Sequence, residues 1–139
     1  MVTEKTIQIC GKDVKMRYCA ATETGFERIT GQSCDVFSPN VIERDKNGEI
    51  SKIEPPKAIM DDYIKLAMSA IIAAYARSNE ESPVSVEEII YDASPTEITQ
   101  MVATVMELRN KWYEIPSIIK PETRDETKEA DDEGKPKNA

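Results

Sequence analysis

A chain of 139 residues is the length of one domain, and its net charge of −8 disfavours binding to nucleic acid or to an anionic membrane surface. It has no run of about 18 apolar residues, and its N-terminus lacks the basic and then apolar layout of a signal peptide. We therefore expect a cytoplasmic protein that contacts neither nucleic acid nor membrane.

The first predicted element is an antiparallel β-hairpin. Apolar and polar residues alternate in 6–10 and again in 13–18, and Gly11-Lys12 between them has the glycine of a type II′ turn. That turn places Cys10 opposite Asp13. Because side chains alternate between the two faces of a strand, one face is then polar and the other apolar. The apolar face comprises Ile7, Ile9, Val14, Met16 and Tyr18.

A short helix is predicted next, at about 22–30. Thr22 can cap its start, and Gly31 can end it. Phe26 and Ile29 are three residues apart, so they share the helix face that we expect to be buried. The residues expected to fold back onto the same core are Cys34, Val36 and Phe37.

Residues 38–56 have two interpretations. Apolar residues at 41–42 and at 50–53 flank Asp45-Lys46-Asn47-Gly48, and Asn-Gly is a strong signal for a hairpin turn. The segment is therefore either a second hairpin, at 41–53, or a mobile loop. Pro55-Pro56 closes it.

Three further helices are predicted, at 57–77, 86–91 and 96–113. The first is apolar over most of its circumference, which is typical of a central helix packed on several sides. The last carries an apolar stripe with a period of 3.6 residues. Capping boxes are expected at the starts of the second and third, formed by Ser85 with Glu88 and by Ser94 with Glu97.

The C-terminal residues are predicted to form a disordered tail. Between Lys120 and Ala139 the only apolar side chains are two alanines, among seven acidic and five basic residues. Such a segment buries too little apolar area to offset the entropy of ordering its backbone, about 1–2 kcal/mol per residue. The sequence therefore predicts one α+β domain at 1–118, in which an N-terminal hairpin packs on about four helices, and a tail at 119–139.

The composition disfavours catalysis. The chain has no histidine, and so lacks the commonest general base and a usual ligand of catalytic zinc. Its three cysteines, Cys10, Cys19 and Cys34, fit neither a disulfide framework nor a cysteine-only zinc site. Its glycines form no phosphate-binding loop. We therefore expect a protein that is not an enzyme, with no catalytic residues, no metal site and no cofactor.

Methionines offer a more specific hypothesis. Met60, Met68, Met101 and Met106 lie on or near the apolar stripes of predicted helices, and flexible methionine surfaces suit binding to apolar partners. Trp112, at the end of the last helix, could anchor such a partner. The alternative is that these side chains fill or cap the core.

The order of these elements, with the segment Gly25-Phe26-Glu27-Arg28-Ile29-Thr30-Gly31, resembles the tail assembly chaperones of long-tailed bacteriophages and prophages. Those proteins open with a hairpin, followed by a short helix that contains an aromatic residue, an Ile or Leu, and a closing glycine. The resemblance covers roughly residues 5–37 in motif and 57–113 in pattern. The long segment at 38–56 departs from the family's usual pattern.

The resemblance implies a protein that keeps the long tape-measure protein soluble and helps to recruit tail-tube subunits. A chaperone for an amphipathic helical client needs an apolar groove on an acidic exterior. We expect that groove between the helices at 57–77 and 96–113. The residues expected to line it are Tyr63, Met68, Ile71, Met101 and Trp112.

Two other classes of protein remain open. A structural tail component, such as a terminator or connector, would carry more strand and assemble into rings. An acidic regulator of a basic partner would need carboxylates spaced along one surface. The sequence does not indicate an oligomeric state.

Overall fold

Two β-hairpins, one 3₁₀ turn and four α-helices make up residues 3–114, the part of the chain that a computed structural model describes. In chain order they are β1 Glu4–Ile9, β2 Lys12–Arg17, α1 Ala20–Thr30, the 3₁₀ turn Cys34–Phe37, β3 Asn40–Arg44, β4 Ile50–Glu54, α2 Met60–Tyr75, α3 Val86–Asp92 and α4 Pro95–Tyr113. The predicted α+β class is confirmed.

The chain divides into two compact units, Met1–Arg109 and Asn110–Ala139. The first unit holds both hairpins, α1, α2, α3 and most of α4. The second is described only for residues 110–114, the end of α4 and Glu114. The predicted domain boundary at 118 and the predicted tail at 119–139 lie outside the described residues.

The first hairpin has the predicted faces but a different turn. Cys10 and Gly11 are its two central residues, with φ of 52° and 76°, and positive φ at both positions is typical of a type I′ turn. Gln8, not Cys10, therefore lies opposite Asp13. The predicted type II′ turn is therefore wrong, and the predicted register is wrong by two residues. A shift by an even number of residues leaves each side chain on its predicted face. The buried apolar side chains are Ile7, Ile9, Val14, Met16 and Tyr18, as predicted.

Helix α1 begins earlier than predicted and ends where predicted. Cys19 is its N-cap residue, and Thr22 lies in the first turn, where its hydroxyl accepts a hydrogen bond from the Cys19 N–H at 3.2 Å. Gly31 ends the helix with φ of 72°. Phe26 is buried as predicted, whereas Ile29 is 58 % exposed. The prediction for Ile29 is wrong because the core does not cover the last turn of α1.

Helix α2 is the central helix of the first unit, as its nearly continuous apolar circumference predicted. Residues 66–71 are buried without interruption, and the helix packs against both α1 and β2. The crossing with α1 is close, because a Cβ at Gly25 would overlap the hydroxyl of Ser69. That hydroxyl donates a hydrogen bond to the Thr22 carbonyl at 2.7 Å. Gly25, which lies inside a helix, is thus explained by this crossing.

Residues 38–56 contain a second hairpin and not only a loop. Val41 lies opposite Ile53, the register shifts on both sides of Glu43, and Gly48 adopts a φ of 82° in the turn. All five residues of β3 and all five of β4 are exposed. This hairpin therefore forms without burying any of its strand residues in the described part of the chain.

Candidate protein-binding groove

The start of α4 is fixed by the capping box that the sequence predicted. The Ser94 hydroxyl accepts a hydrogen bond from the Glu97 N–H at 3.2 Å, and the Glu97 carboxylate accepts one from the Ser94 N–H at 2.9 Å. The backbone N–H groups of Cys10 and Gly11 also favour the charged form of this carboxylate. The backbone hydrogen bond from Ser94 is the largest of the causes that hold the pKa of Glu97 below its ordinary value of 4.5. Glu97 thus joins the start of α4 to the turn of the first hairpin.

The start of α2 is fixed by Asp62. Its carboxylate accepts a hydrogen bond from the Ile59 N–H at 3.0 Å and another from the Gln32 side chain at 2.9 Å. Asp62 is buried, so both bonds are made out of reach of most solvent. Met60, the first residue of α2, is 61 % exposed beside this anchored turn. An exposed apolar side chain is therefore held on a fixed piece of backbone.

A groove of about 370 Å³ lies between these two helix starts. Its lining residues are Met60, Ala93, Pro95, Ile98, Thr99 and Val102. None of these six side chains is ionisable, and only the threonine is polar. Ile98 and Val102 are both half-buried and lie four residues apart, so they form one stripe along α4. The groove can contact apolar side chains of a partner, but its lining offers no acid, base or metal ligand.

The lining of this groove includes none of the five residues that the sequence predicted for a groove. Met68, Ile71 and Met101 are buried in the core of the first unit. Tyr63 is half-buried, and its ring packs edge-on against the Phe37 ring with 5.1 Å between centroids. Trp112 is half-buried, and its ring meets that of Tyr113 at 4.8 Å. A groove lies between the starts of the two helices that the sequence indicated, but a different set of side chains lines it.

The position of Ile98 and Val102 on α4 explains why they were missed. Met101, Val105 and Leu108 form the fully buried stripe of the helix, and the sequence pattern gives most weight to that stripe. Ile98 and Val102 lie at its edge and are only half-buried. The signal available in the sequence was therefore the apolar edge of the stripe and not its centre.

A buried charged cluster surrounds Arg109 of α4. The Arg109 side chain is 5 % exposed, and its Nε lies 3.9 Å from a Glu23 carboxylate oxygen. The guanidinium donates hydrogen bonds to the Cys34 carbonyl at 3.4 Å and the Ser38 hydroxyl at 3.2 Å. The Tyr18 hydroxyl donates to Glu23 at 2.7 Å. The cluster joins α4, α1, the end of β2 and the 3₁₀ turn, which is a structural role.

A polar pocket of about 460 Å³ lies beside the first hairpin. Lys15 in its lining is 3.6 Å from a Glu80 carboxylate oxygen, and its ammonium lies 5.3 Å from the centre of the Tyr75 ring. The ion pair is made by exposed side chains, and pairs of that kind contribute little free energy. The pocket therefore gives weaker grounds for a binding site than the apolar groove.

Residues 3–114 contain neither a candidate metal site nor a candidate membrane-spanning helix. No group of three or more His, Cys, Asp or Glu side chains in this range is placed to hold a metal ion. Among the helices of the same range, none is both long and apolar enough to cross a membrane.

The fold and the groove together define an α+β domain of two hairpins and four helices, within the described residues, that presents an apolar groove between two helix starts. No known protein family, curated protein or solved structure matches this chain.

Proposed function

We propose that this protein is a non-enzymatic binding protein that works as a tail assembly chaperone of a phage or prophage. In this role it keeps the tape-measure protein soluble and helps to recruit tail-tube subunits. The observation that carries the proposal is the apolar groove between the starts of α2 and α4. The resemblance of residues 5–37 and 57–113 to tail assembly chaperones supports the identity of the client.

The shape and composition of the groove suit one apolar stripe of a helical client. Ile98 and Val102 are spaced by one helical turn, which is also the spacing of apolar side chains on an amphipathic helix. Ile59 and Met60, both mostly exposed, extend the apolar surface at the start of α2. Clustered apolar side chains on a surface are typical of a site that a partner covers.

The charge of the chain favours a client whose apolar stripe is bordered by basic residues. The net charge is −8, and Asp61 and Asp92 adjoin the groove residues Met60 and Ala93 in sequence. Complementary charge around an apolar contact increases the rate of association and selects between partners.

Co-expression with the tape-measure protein from the same genome tests the proposal, with the soluble fraction of that client as the measurement. We expect the client to be soluble with the wild-type chain and to aggregate without it. Met60→Lys should abolish the effect, because it places a charge in the groove. Ile72→Lys is the matched control, because Ile72 is a 51 % exposed apolar residue of the same helix that is not part of the lining. Equal solubility of the client with and without the chain would overturn the proposal.

A further inference from the structure

The second hairpin exposes four large apolar side chains. Val41, Ile42, Ile50 and Ile53 are 36–46 % exposed, although they lie in paired strands. β3 and β4 form a sheet of only two strands, so each has one edge whose backbone groups are not paired with a further strand of residues 3–114. A two-stranded hairpin alone is marginally stable in water, and a free edge is a template for another strand. The hairpin thus has the features of an interface.

The charge of this hairpin differs from that of the chain. Residues 40–54 carry four acids and three bases, a net charge of −1, whereas the whole chain carries −8. A strongly basic partner gains little attraction from such a segment, because its charges nearly cancel. A second copy of an acidic chain, by contrast, meets little electrostatic repulsion at a nearly neutral segment. The charge balance therefore favours a second copy over a charged partner.

The order of charges along β4 is self-complementary. Lys52 and Glu54 flank Ile53. If two β4 strands pair antiparallel with Ile53 opposite Ile53, Lys52 of each copy lies opposite Glu54 of the other. Two ion pairs then form on the face of the sheet opposite to the Ile53 contact, because successive side chains of a strand alternate between faces. Opposite charges that face each other across antiparallel strands are stabilising.

We propose that β4 pairs with β4 of a second copy about a two-fold axis at Ile53, so that the two hairpins form one antiparallel four-stranded sheet. The interface is isologous, since the same patch is used on both copies. Ile53 is partly covered by its symmetry mate in this sheet, and the backbone groups at the free edge of β4 find hydrogen-bond partners. The proposal concerns β4 and is independent of the groove.

Sedimentation velocity of the full chain, over about 1–200 µM, tests the proposal. We expect a reversible dimer whose association constant falls about tenfold or more in Lys52→Glu, because both cross-strand pairs become repulsive. Adding Glu54→Lys to that variant should restore association, since each cross-strand pair then joins opposite charges again, with the two signs exchanged. Ile29→Asp, at an exposed position of α1, is the control that should leave the dimer unchanged.

Two results would overturn the proposal. The first is a chain that stays monomeric over the whole concentration range. The second is a dimer whose association constant is the same in Lys52→Glu as in the wild type. Far-UV circular dichroism should show unchanged folding in Lys52→Glu and in Lys52→Glu/Glu54→Lys, because the strand residues of the hairpin lie outside the core. A monomer whose Lys52→Glu variant no longer solubilises the tape-measure protein also counts against the dimer and assigns this edge to the client.

Discussion

Gly25 of α1 lies against Ser69 of α2 so closely that a Cβ at position 25 would overlap the Ser69 hydroxyl oxygen. The same hydroxyl donates a 2.7 Å hydrogen bond to the carbonyl of Thr22, one turn earlier in α1. The close packing of α1 on α2 therefore depends on the absence of a side chain at position 25 and on the small polar side chain of Ser69.

The effect of Gly25→Ala on stability should change sign with the residue at position 69. In the wild type the added methyl group displaces the Ser69 hydroxyl, and such overpacking costs about 1–3 kcal/mol. In a Ser69→Ala background the nearest remaining atom is a Cβ at 3.7 Å, an ordinary contact. There the greater helix propensity of alanine should stabilise the protein by about 0.5–1 kcal/mol. Urea unfolding of the four variants measures this, and equal destabilisation in both backgrounds would contradict it.

Arg109 and Glu23 should be strongly coupled. Arg109→Met leaves the carboxylate of Glu23 in a site that is 17 % exposed, and removing one partner of a buried ion pair costs about 3–5 kcal/mol. Glu23→Gln in the same chain removes the carboxylate charge that faces Arg109 in the wild type, while the amide oxygen can still accept the hydrogen bond from the Tyr18 hydroxyl. The double variant should therefore be more stable than Arg109→Met alone. Chemical denaturation of both variants checks this, and a double variant that is the less stable of the two would contradict it.

The capping carboxylates should make stability depend on pH below about 5. The pKa values of Glu88 and Glu97 are lowered in the folded chain, mainly by backbone hydrogen bonds from Ser85 and Ser94. A carboxyl whose folded pKa is depressed stabilises the protein above the unfolded value of 4.5, and that contribution is lost as the pH falls through the folded pKa.

Urea midpoints measured from pH 7 to pH 3 test this pH dependence. The double variant Glu88→Gln/Glu97→Gln should lose less stability over the acidic part of the range than the wild type. Glu87→Gln is the control, because Glu87 is an exposed neighbour of Glu88 that makes no capping hydrogen bond in the α3 box. Parallel loss of stability in the wild type and the double variant is the result that would disprove the linkage.

The sequence predicted which faces are buried better than it predicted register. Alternation fixed the apolar face of the first hairpin, because any even shift preserves it. Gly11 did not determine the turn type, because glycine suits two kinds of turn. A type II′ turn needs positive φ at its first central position, and a type I′ turn also needs it at its second, where Gly11 lies. The capping boxes at Ser85 and Ser94 were predictable, because they are local and need only four residues.

The groove could be located approximately but not assembled from the sequence. Periodicity assigns Met68, Ile71 and Met101 to apolar stripes, and the structure buries all three. Which edge of a stripe stays open depends on how helices cross, and the crossing of α1 and α2 depends on Gly25, whose close contact no periodic pattern reveals. Exposure of Met60 likewise depends on where the neighbouring elements end.

Cys34 should be protected from alkylation in the folded protein. The pKa of its thiol is raised to about 12, first by burial and then by the nearby carboxylates of Glu23 and Glu27. At pH 8 almost none of this thiol is ionised, and only the thiolate reacts readily. Iodoacetamide at pH 8 should therefore modify Cys34 much more slowly in buffer than in urea, as measured by peptide mass spectrometry.

Cys19, which is only half-buried, is the internal control and should differ less between the two conditions. Equal rates for Cys34 in buffer and in urea would show that the core around it opens freely, which its contacts with α1 and α4 argue against.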